Sequence, residues 1–192
     1  MKKIYFIIGS ILSISVGYGQ ILPIEEIKEI VIDSDKVLPP GTTYVKDINN
    51  KLDKFVGTWR GEVDNKSYEF VVEKITLEAN DLGYKEDVLI MRYDIKNSSG
   101  TTVENTLGLP VDSPYVIEGY FLNDDSSYML TYAGKEGKCG QGGNLFINIR
   151  DDDTMRLKLT IGHKLITPQD CPNGVAEQVL PTKEGGVILT RA

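Results

Sequence analysis

Apolar and polar residues alternate one for one through much of the chain after Thr58, and this pattern constrains the fold more than any other feature. In the run 155–161 every odd-numbered residue is apolar and every even-numbered residue is polar. The run 89–95 shows the same alternation, with Ile90 as its one exception. A period of two places one face of a strand in a core and the other in water, as is typical of antiparallel sheets. The sequence therefore predicts an all-β domain.

Nine strand-like runs follow one another without a long helix between them. They cover 58–64, 67–79, 87–96, 102–109, 115–122, 128–133, 144–150, 154–161 and 186–191. Short connectors rich in Asn, Asp, Ser and Gly join several of them, which favours pairing between neighbours in sequence. A long meander hides its edges by closing on itself. We therefore predict a single antiparallel up-and-down β-barrel of about eight or nine strands.

The alternation changes phase inside the run 67–79. Tyr68, Phe70 and Val72 are even-numbered, whereas Ile75, Leu77 and Ala79 are odd-numbered. A β-bulge inserts one residue into a strand and bends it, as barrel closure requires. The sequence therefore predicts a bulge at 73–74.

Two helical patterns precede the strands. After Pro23, apolar residues recur at 24, 27, 30 and 31, which predicts a short amphipathic helix in a leader segment, residues 20–44. A second stripe is formed by Val45, Ile48, Leu52 and Phe55, with polar residues such as Asp47 left to face water. This stripe predicts a second helix, which Gly57 ends.

The first nineteen residues have the layout of a secretory signal peptide. Lys2 and Lys3 precede an apolar run at 4–16, and Gly17 and Gly19 place small residues before a cleavage at Gln20. A run of 13 residues is short for a membrane span, which needs about 20. We expect a protein exported to the periplasm or beyond the cell, without stable membrane insertion after cleavage. A retained N-terminal anchor is the alternative.

Cys139 and Cys171 are the two cysteines of the chain. An oxidising compartment favours their joining, so export predicts a disulfide between them. The alternative pairs a reactive cysteine with His163, the one histidine, as a catalytic dyad. Two cysteines and one histidine fall short of the four ligands of a structural zinc site, and we predict no metal site.

The sequence Phe-Val-Gly-Thr-Trp-Arg-Gly at 55–61 opens the first strand of the meander. It resembles the G-x-W signature of lipocalins and related calycin barrels, with Gly57 and Trp59 at the motif positions. In that family the tryptophan plugs the closed end of the barrel, and a basic residue near the last strand lies over its ring. The resemblance implies that Arg191 has this role, as a cation–π contact.

The chain as a whole, with its export signal and leader, resembles secreted bacterial lipocalin-like domains of unknown function. This resemblance divides it into a signal peptide at 1–19, a leader at 20–44 and a lipocalin-like barrel domain at 45–192. The chain differs from lipocalins in its longer leader and in the stretch 164–186, where a proline-interrupted segment replaces the usual long helix.

The inward-facing apolar residues of the predicted barrel are the candidate ligand-binding residues. They are Met91, Tyr93, Ile117, Phe121, Leu157 and Leu159. An eight-stranded barrel holds one small ligand or is filled by its own side chains. We therefore predict a non-catalytic protein that binds a small, largely apolar molecule. The alternative is a filled barrel that acts as a protein-interaction or structural module.

Other function classes have less support. Acidic residues outnumber basic ones by 28 to 21, which argues against nucleic acid as a partner. The glycine-rich loop 134–143 fits neither phosphate-binding motif and is interpreted as a flexible loop tethered by the disulfide. The acidic turns at 124–125 and 151–153 lack calcium-loop spacing and are interpreted as solvated strand connections. A secreted hydrolase would have His163 and unpaired acids, but no nucleophile motif. We expect no enzymatic activity and no cofactor.

Overall fold

The computed structural model describes residues 19–79, 83–124, 126–150, 153–162 and 166–192. Residues 1–18 of the predicted signal peptide lie outside these ranges, as do His163 and parts of both acidic turns. Within them, no helix has the length and apolar character needed to cross a membrane.

The described chain forms eleven strands and one short α-helix, which confirms the all-β prediction. The elements are β1 (Gln20–Pro23), α1 (Ile27–Ile32), β2 (Thr42–Lys46), β3 (Gly57–Val63), β4 (Lys66–Ala79), β5 (Tyr84–Asn97), β6 (Thr102–Asn105), β7 (Ile117–Asp124), β8 (Ser127–Ala133), β9 (Gly142–Ile149), β10 (Met155–Ile161) and β11 (Val187–Arg191). Single 3₁₀ turns cover Ile24–Glu26, Asp53–Phe55 and Gly137–Cys139. The first of them continues into α1, as the leader helix was predicted to do.

Eight strands close into an antiparallel barrel in the order β3-β4-β5-β7-β8-β9-β10-β11. The last strand of the chain, β11, pairs with β3 and places Arg191 opposite Trp59. On the other side of the sheet, β7 joins β5 with Ile117 opposite Met91. The up-and-down barrel is therefore confirmed. The run 102–109 contributes only the short strand β6, which pairs with β5 and lies off the closed path.

The β3–β4 connection shows how local chemistry sets the register. Asp64 and Asn65 have φ values of 51° and 60°, in the left-handed region that Asp and Asn tolerate better than most residues. Two consecutive residues of this kind form the tight hairpin turn whose twist matches the strands. Val63 therefore lies directly opposite Lys66.

The predicted bulge at 73–74 is wrong. The pairing of β4 with β5 runs without a shift from Lys66 opposite Asn97 to Ala79 opposite Tyr84. The phase changes because β3 begins at Gly57, opposite Val72, so the part of the β4–β5 ribbon that follows Val72 has no β3 partner. Past that point the barrel interior no longer decides which face of the ribbon is apolar.

The exception at Ile90 has a similar cause. Val88 and Ile90 lie on the face of β5 opposite to Met91, and both are buried. The loop before β7 covers this outer face, since Arg92 Nε donates a hydrogen bond to the Leu109 carbonyl at 2.8 Å. An outer strand face covered by a loop is apolar for the same reason as an inner one.

The predicted second helix at 45–55 is also wrong. Val45 lies in β2, which pairs in parallel with β5, and Asn50 has a φ of 53° that interrupts any helix. Asp47, expected to face water, is buried because its carboxylate accepts the backbone N–H groups of Lys51 and Leu52 at 2.7 and 3.0 Å. The chain at 45–55 wraps around one end of the barrel as a strand, a turn and a 3₁₀ turn. This path buries Val45, Leu52 and Phe55, whose spacing in the sequence is the same as that of one face of a helix.

The G-x-W residues close one end of the barrel, which we call the plugged end. The Trp59 ring is fully buried, and its Nε1 donates to the Phe55 carbonyl at 2.8 Å. The Arg191 guanidinium carbon lies 4.3 Å from the centre of that ring, so the contact implied by the lipocalin resemblance is present. Gly57 has a φ of 134°, and a Cβ there would lie 2.7 Å from Arg191 Nη1. The position therefore requires glycine.

Candidate functional site

The six candidate ligand-binding residues come together inside the barrel. Met91, Tyr93, Ile117, Phe121, Leu157 and Leu159 all belong to one continuous core and are at most 8% exposed. None of them lines any of four surface pockets that the described part of the chain forms. The middle of the barrel is therefore occupied by packed side chains.

Residues 176–183, here called the covering segment, lie across the end of the barrel opposite Trp59. Leu180 is 2% exposed and belongs to the barrel core. The Pro181 carbonyl accepts the Leu159 N–H at 2.8 Å, and the Val179 carbonyl accepts the Tyr68 hydroxyl at 3.3 Å. The covering segment belongs to the proline-interrupted stretch 164–186 that was noted in the sequence. It closes the second end of the barrel.

The disulfide fastens this cover to the glycine-rich loop between β8 and β9. Cys139 and Cys171 are joined, with their Cα atoms 5.4 Å apart, which confirms the predicted pairing. Nearby, Gln141 Nε2 donates to the Glu177 carbonyl at 3.0 Å, and Gln178 Nε2 donates to the Gly140 carbonyl at 2.7 Å. Gln141 is buried, so the loop is packed against the cover rather than free in water.

Three polar side chains lie beneath the cover, and we call Tyr93, Glu104 and Tyr132 the mouth cluster. Glu104 lies on β6 opposite Ile95, which turns its side chain to the inner face, where it is 6% exposed. The Tyr93 hydroxyl donates to Glu104 Oε1 at 2.5 Å. The Tyr132 hydroxyl is buried next to that of Tyr93, without a well-formed hydrogen bond in the described structure.

Aromatic rings surround the mouth cluster. The rings of Tyr68 and Phe70 are stacked with their centres 6.0 Å apart. Phe70 lies 6.3 Å from Tyr93, and Tyr93 lies 6.4 Å from Tyr132 in an edge-on arrangement. Such distances are those at which aromatic rings attract one another. A row of four aromatic rings, here called the enclosure, therefore lines the mouth of the barrel, and its last two members lie beside the Glu104 carboxylate.

The tyrosines of this enclosure are hydrogen-bond donors at neutral pH. Burial raises the pKa of Tyr68 to about 12, with the charge of Asp64 adding to the effect. Burial and the neighbouring Glu104 raise the pKa of both Tyr93 and Tyr132 well above the usual value. Their hydroxyls therefore stay protonated, and those of Tyr93 and Tyr132 lie near the Glu104 carboxylate.

The mouth cluster is costly for the fold. No lysine or arginine of the described residues forms a salt bridge with Glu104, and a buried carboxylate without a counter-ion destabilises a folded protein. A buried hydroxyl without a partner costs about 1–3 kcal/mol. Groups of this kind in a native structure are candidates for a functional site. Of these three residues, only Tyr93 was predicted from the sequence to belong to the site.

The cost of the Tyr132 hydroxyl leads to a prediction. Tyr132→Phe removes the unpartnered hydroxyl and keeps the ring, so we expect the free energy of unfolding to rise by about 1 kcal/mol. Tyr128→Phe is the matched control, because the Tyr128 hydroxyl contacts the Leu89 N–H at 3.5 Å. Urea unfolding followed by circular dichroism measures both variants. A loss of stability in Tyr132→Phe would contradict the unpartnered state of the hydroxyl.

A second polar cluster, at the plugged end, has all of its partners. Asp87 accepts hydrogen bonds from the Tyr44 hydroxyl at 2.6 Å, from Thr76 Oγ1 at 2.7 Å and from the Asp47 N–H at 3.1 Å. Burial alone would raise the pKa of Asp87, but these hydrogen bonds and the nearby Lys74 lower it instead. The cluster fastens β2 and the following turn to the β4–β5 ribbon and has the character of a structural element.

Glu86, next to this cluster, leads to a prediction of pH dependence. Its pKa is raised to about 7, first by burial and then by the charges of Glu118 and Asp87. Because the folded chain binds the Glu86 proton more tightly than the unfolded chain does, protonation of Glu86 stabilises the fold. This contribution to the free energy of unfolding is complete below about pH 4.5 and is lost as the pH rises through 7. We expect Glu86→Gln to remove this loss and to stabilise the protein by about 1–2 kcal/mol at pH 8.

Urea unfolding of both proteins at about pH 5 and pH 8 tests this expectation. Glu184→Gln is the control, because it makes the same chemical change at an exposed position in the loop before β11. Equal pH dependence in Glu86→Gln and in the parent protein would contradict the prediction.

The described residues contain no group of three or more acidic, histidine or cysteine side chains placed to hold a metal ion. The two disulfide-bonded cysteines are also unable to act as nucleophiles while joined. His163, the remaining residue of the alternative dyad, lies outside the described ranges.

Comparison with known proteins places the chain by family. No curated protein and no solved structure matches it. One family model matches residues 1–167, which cover the leader and the barrel as far as the end of β10. The chain therefore belongs to a family of unknown function (DUF6705).

Proposed function

We propose that the protein is an exported, non-catalytic binding protein with a lipocalin-like barrel, and that a small, largely apolar molecule enters at the covered end. The observation that carries this proposal is the mouth cluster, in which Glu104 is buried with one hydrogen bond, from Tyr93, and the Tyr132 hydroxyl is buried without a well-formed one. Apolar side chains of similar volume would fill the same space at equal or better stability. A ligand that pairs with these groups gives a reason for their presence.

The position of the ligand follows from what already fills the barrel. The predicted wall residues, such as Met91 and Leu157, pack against one another in the middle of the barrel. Leu180 reaches the core from a segment that forms no strand. Segments held by loop contacts open locally at lower cost than paired strands. We therefore place the ligand beneath the covering segment, in the space that Leu180 leaves when the segment moves.

Three features support the lipocalin-like and exported character. The closed eight-stranded barrel begins at the G-x-W motif, and Arg191 lies over Trp59 as that family's basic residue would. The disulfide agrees with an oxidising compartment. The layout of residues 1–19 is that of a cleavable export signal.

A second candidate function is a filled barrel that binds another protein. The observation in its favour is a set of exposed apolar residues in the leader and the turn that follows. They are Ile21, Ile32, Val37 and Ile48, each at least half exposed. In this alternative the leader, and not the mouth, would be the functional surface.

Binding of an uncharged apolar dye separates the two candidates. We expect N-phenyl-1-naphthylamine to bind the parent protein with increased fluorescence, and Leu180→Ala to bind it about tenfold more tightly, because the side chain to be displaced is smaller. Ile188→Ala is the control, since Ile188 is 42% exposed on the outer face of β11. Mass spectrometry of the natively purified protein would then identify any retained molecule. Absence of dye binding in all three proteins would overturn the proposal and favour the filled barrel.

A further inference from the structure

The chemistry of the mouth cluster specifies the kind of ligand, and this inference rests on the proposed function. We propose that the ligand is an organic cation, with an ammonium group beside the Glu104 carboxylate and its apolar part against the rings of Tyr68, Tyr93 and Tyr132. The covered mouth of the barrel is then a cation-binding site, and the covering segment is displaced when the ligand enters.

Charge is the first argument. Glu104 is 6% exposed, and its one hydrogen bond in the described structure comes from the Tyr93 hydroxyl. A carboxylate removed from water is stabilised by a positive charge far more than by one neutral donor. No salt bridge of the described residues supplies such a charge. An ammonium ligand would supply it.

The aromatic rings are the second argument. The four rings of the enclosure follow one another at 6.0, 6.3 and 6.4 Å between centres, from Tyr68 through Phe70 and Tyr93 to Tyr132. A cation within about 6 Å of an aromatic face is attracted to it, and more strongly where water is excluded. The unpartnered Tyr132 hydroxyl adds one polar contact for a hydroxyl or N–H group of the ligand.

The rim of the mouth argues against an anionic ligand. Lys66 at this rim is paired with Glu177 at 3.2 Å, and Lys183 is paired with Asp64. These two bases are therefore already neutralised, and Glu104 would repel an anion. A neutral ligand would leave the buried carboxylate without a counter-charge. Of the three ligand types, the cation fits the groups in place.

Calorimetric titration with choline and with 3,3-dimethylbutan-1-ol tests the inference. The two molecules have nearly the same shape, but the second has carbon in place of the charged nitrogen. We expect choline to bind the parent protein at least tenfold more tightly than the alcohol. Glu104→Gln should abolish this preference, whereas Glu62→Gln should keep it, because Glu62 is exposed on the outer side of β3.

The outcomes separate the inference from the proposed function. If the apolar dye binds and choline binds no better than the alcohol, the cation inference is overturned while the proposed function stands. If neither the dye nor choline binds, both are overturned. Should Glu104→Gln fail to fold, amide shifts of the parent protein on choline addition decide the question. We expect them at 93–95, at 104 and in the covering segment, and shifts confined to other regions would overturn the site.

Discussion

Replacement of Trp59 with alanine is expected to lower the free energy of unfolding by about 3–5 kcal/mol. The indole is fully buried at the plugged end, and its removal leaves a cavity beneath Arg191. The substitution also leaves the Phe55 carbonyl without its donor and removes a cation–π contact worth about 0.5–2 kcal/mol. A loss of this size is a large part of the total stability of a domain.

Urea unfolding followed by far-ultraviolet circular dichroism measures the effect, since Trp59 is the one tryptophan and its fluorescence is lost in the variant. Trp59→Phe keeps an aromatic ring and should lose less than Trp59→Ala. Tyr115→Ala removes an aromatic ring that is 37% exposed and should change stability by less than about 0.5 kcal/mol. A loss below about 1 kcal/mol in Trp59→Ala would show that the indole is not the plug.

Removal of the disulfide is expected to cost about 3–4 kcal/mol. The bond joins residues 32 positions apart, and closing a loop of that length restricts the unfolded chain by this amount in the chain-entropy model. The double variant Cys139→Ser/Cys171→Ser should therefore unfold at lower urea concentration. Hydrogen exchange should also become faster at Ala176, whose N–H donates to the Cys139 carbonyl.

Reduction provides the matched comparison for the double variant. The parent protein treated with a reducing agent should lose the same stability, and the double variant should not respond to that agent. Exchange at the core strands, for example at Tyr93, should accelerate only as far as the global loss of stability requires. Unchanged exchange across the covering segment would contradict the role of the disulfide as its fastening.

The fold was predictable where one face of a strand lines the barrel interior and the other faces water. Alternation such as that of 155–161 follows from one wet and one buried face, and short turns force antiparallel neighbours. The barrel therefore follows from local pattern. The errors occur where another surface takes over, as in the β4–β5 ribbon beyond Val72 and in the wrap of 45–55 around the plugged end. In both regions the contacts that decide the structure are distant in sequence.

The mouth cluster was less predictable because β6 inverts the usual pattern. Within Thr102–Asn105, apolar Val103 is 45% exposed while Glu104 is buried. Pairing with β5 sets this arrangement, since Glu104 lies opposite the inward-facing Ile95. From hydropathy alone, Val103 would be placed inside and Glu104 outside, which is the reverse of the arrangement in the structure. Conflict between local pattern and actual burial is frequent at functional sites, where stability is not the only requirement.

The pairing of β3 with β11 has a consequence for how the chain folds. The hydrogen bond of Thr190 to the Arg60 carbonyl joins residues 130 positions apart, so the barrel closes through one of its most distant contacts. Long-range pairing of this kind slows folding. A growing chain holds β3 as an open edge, with Trp59 beside it, until residue 191 is free to pair. Loss of β11 would therefore leave one edge of both β3 and β10 unpaired and open to other chains.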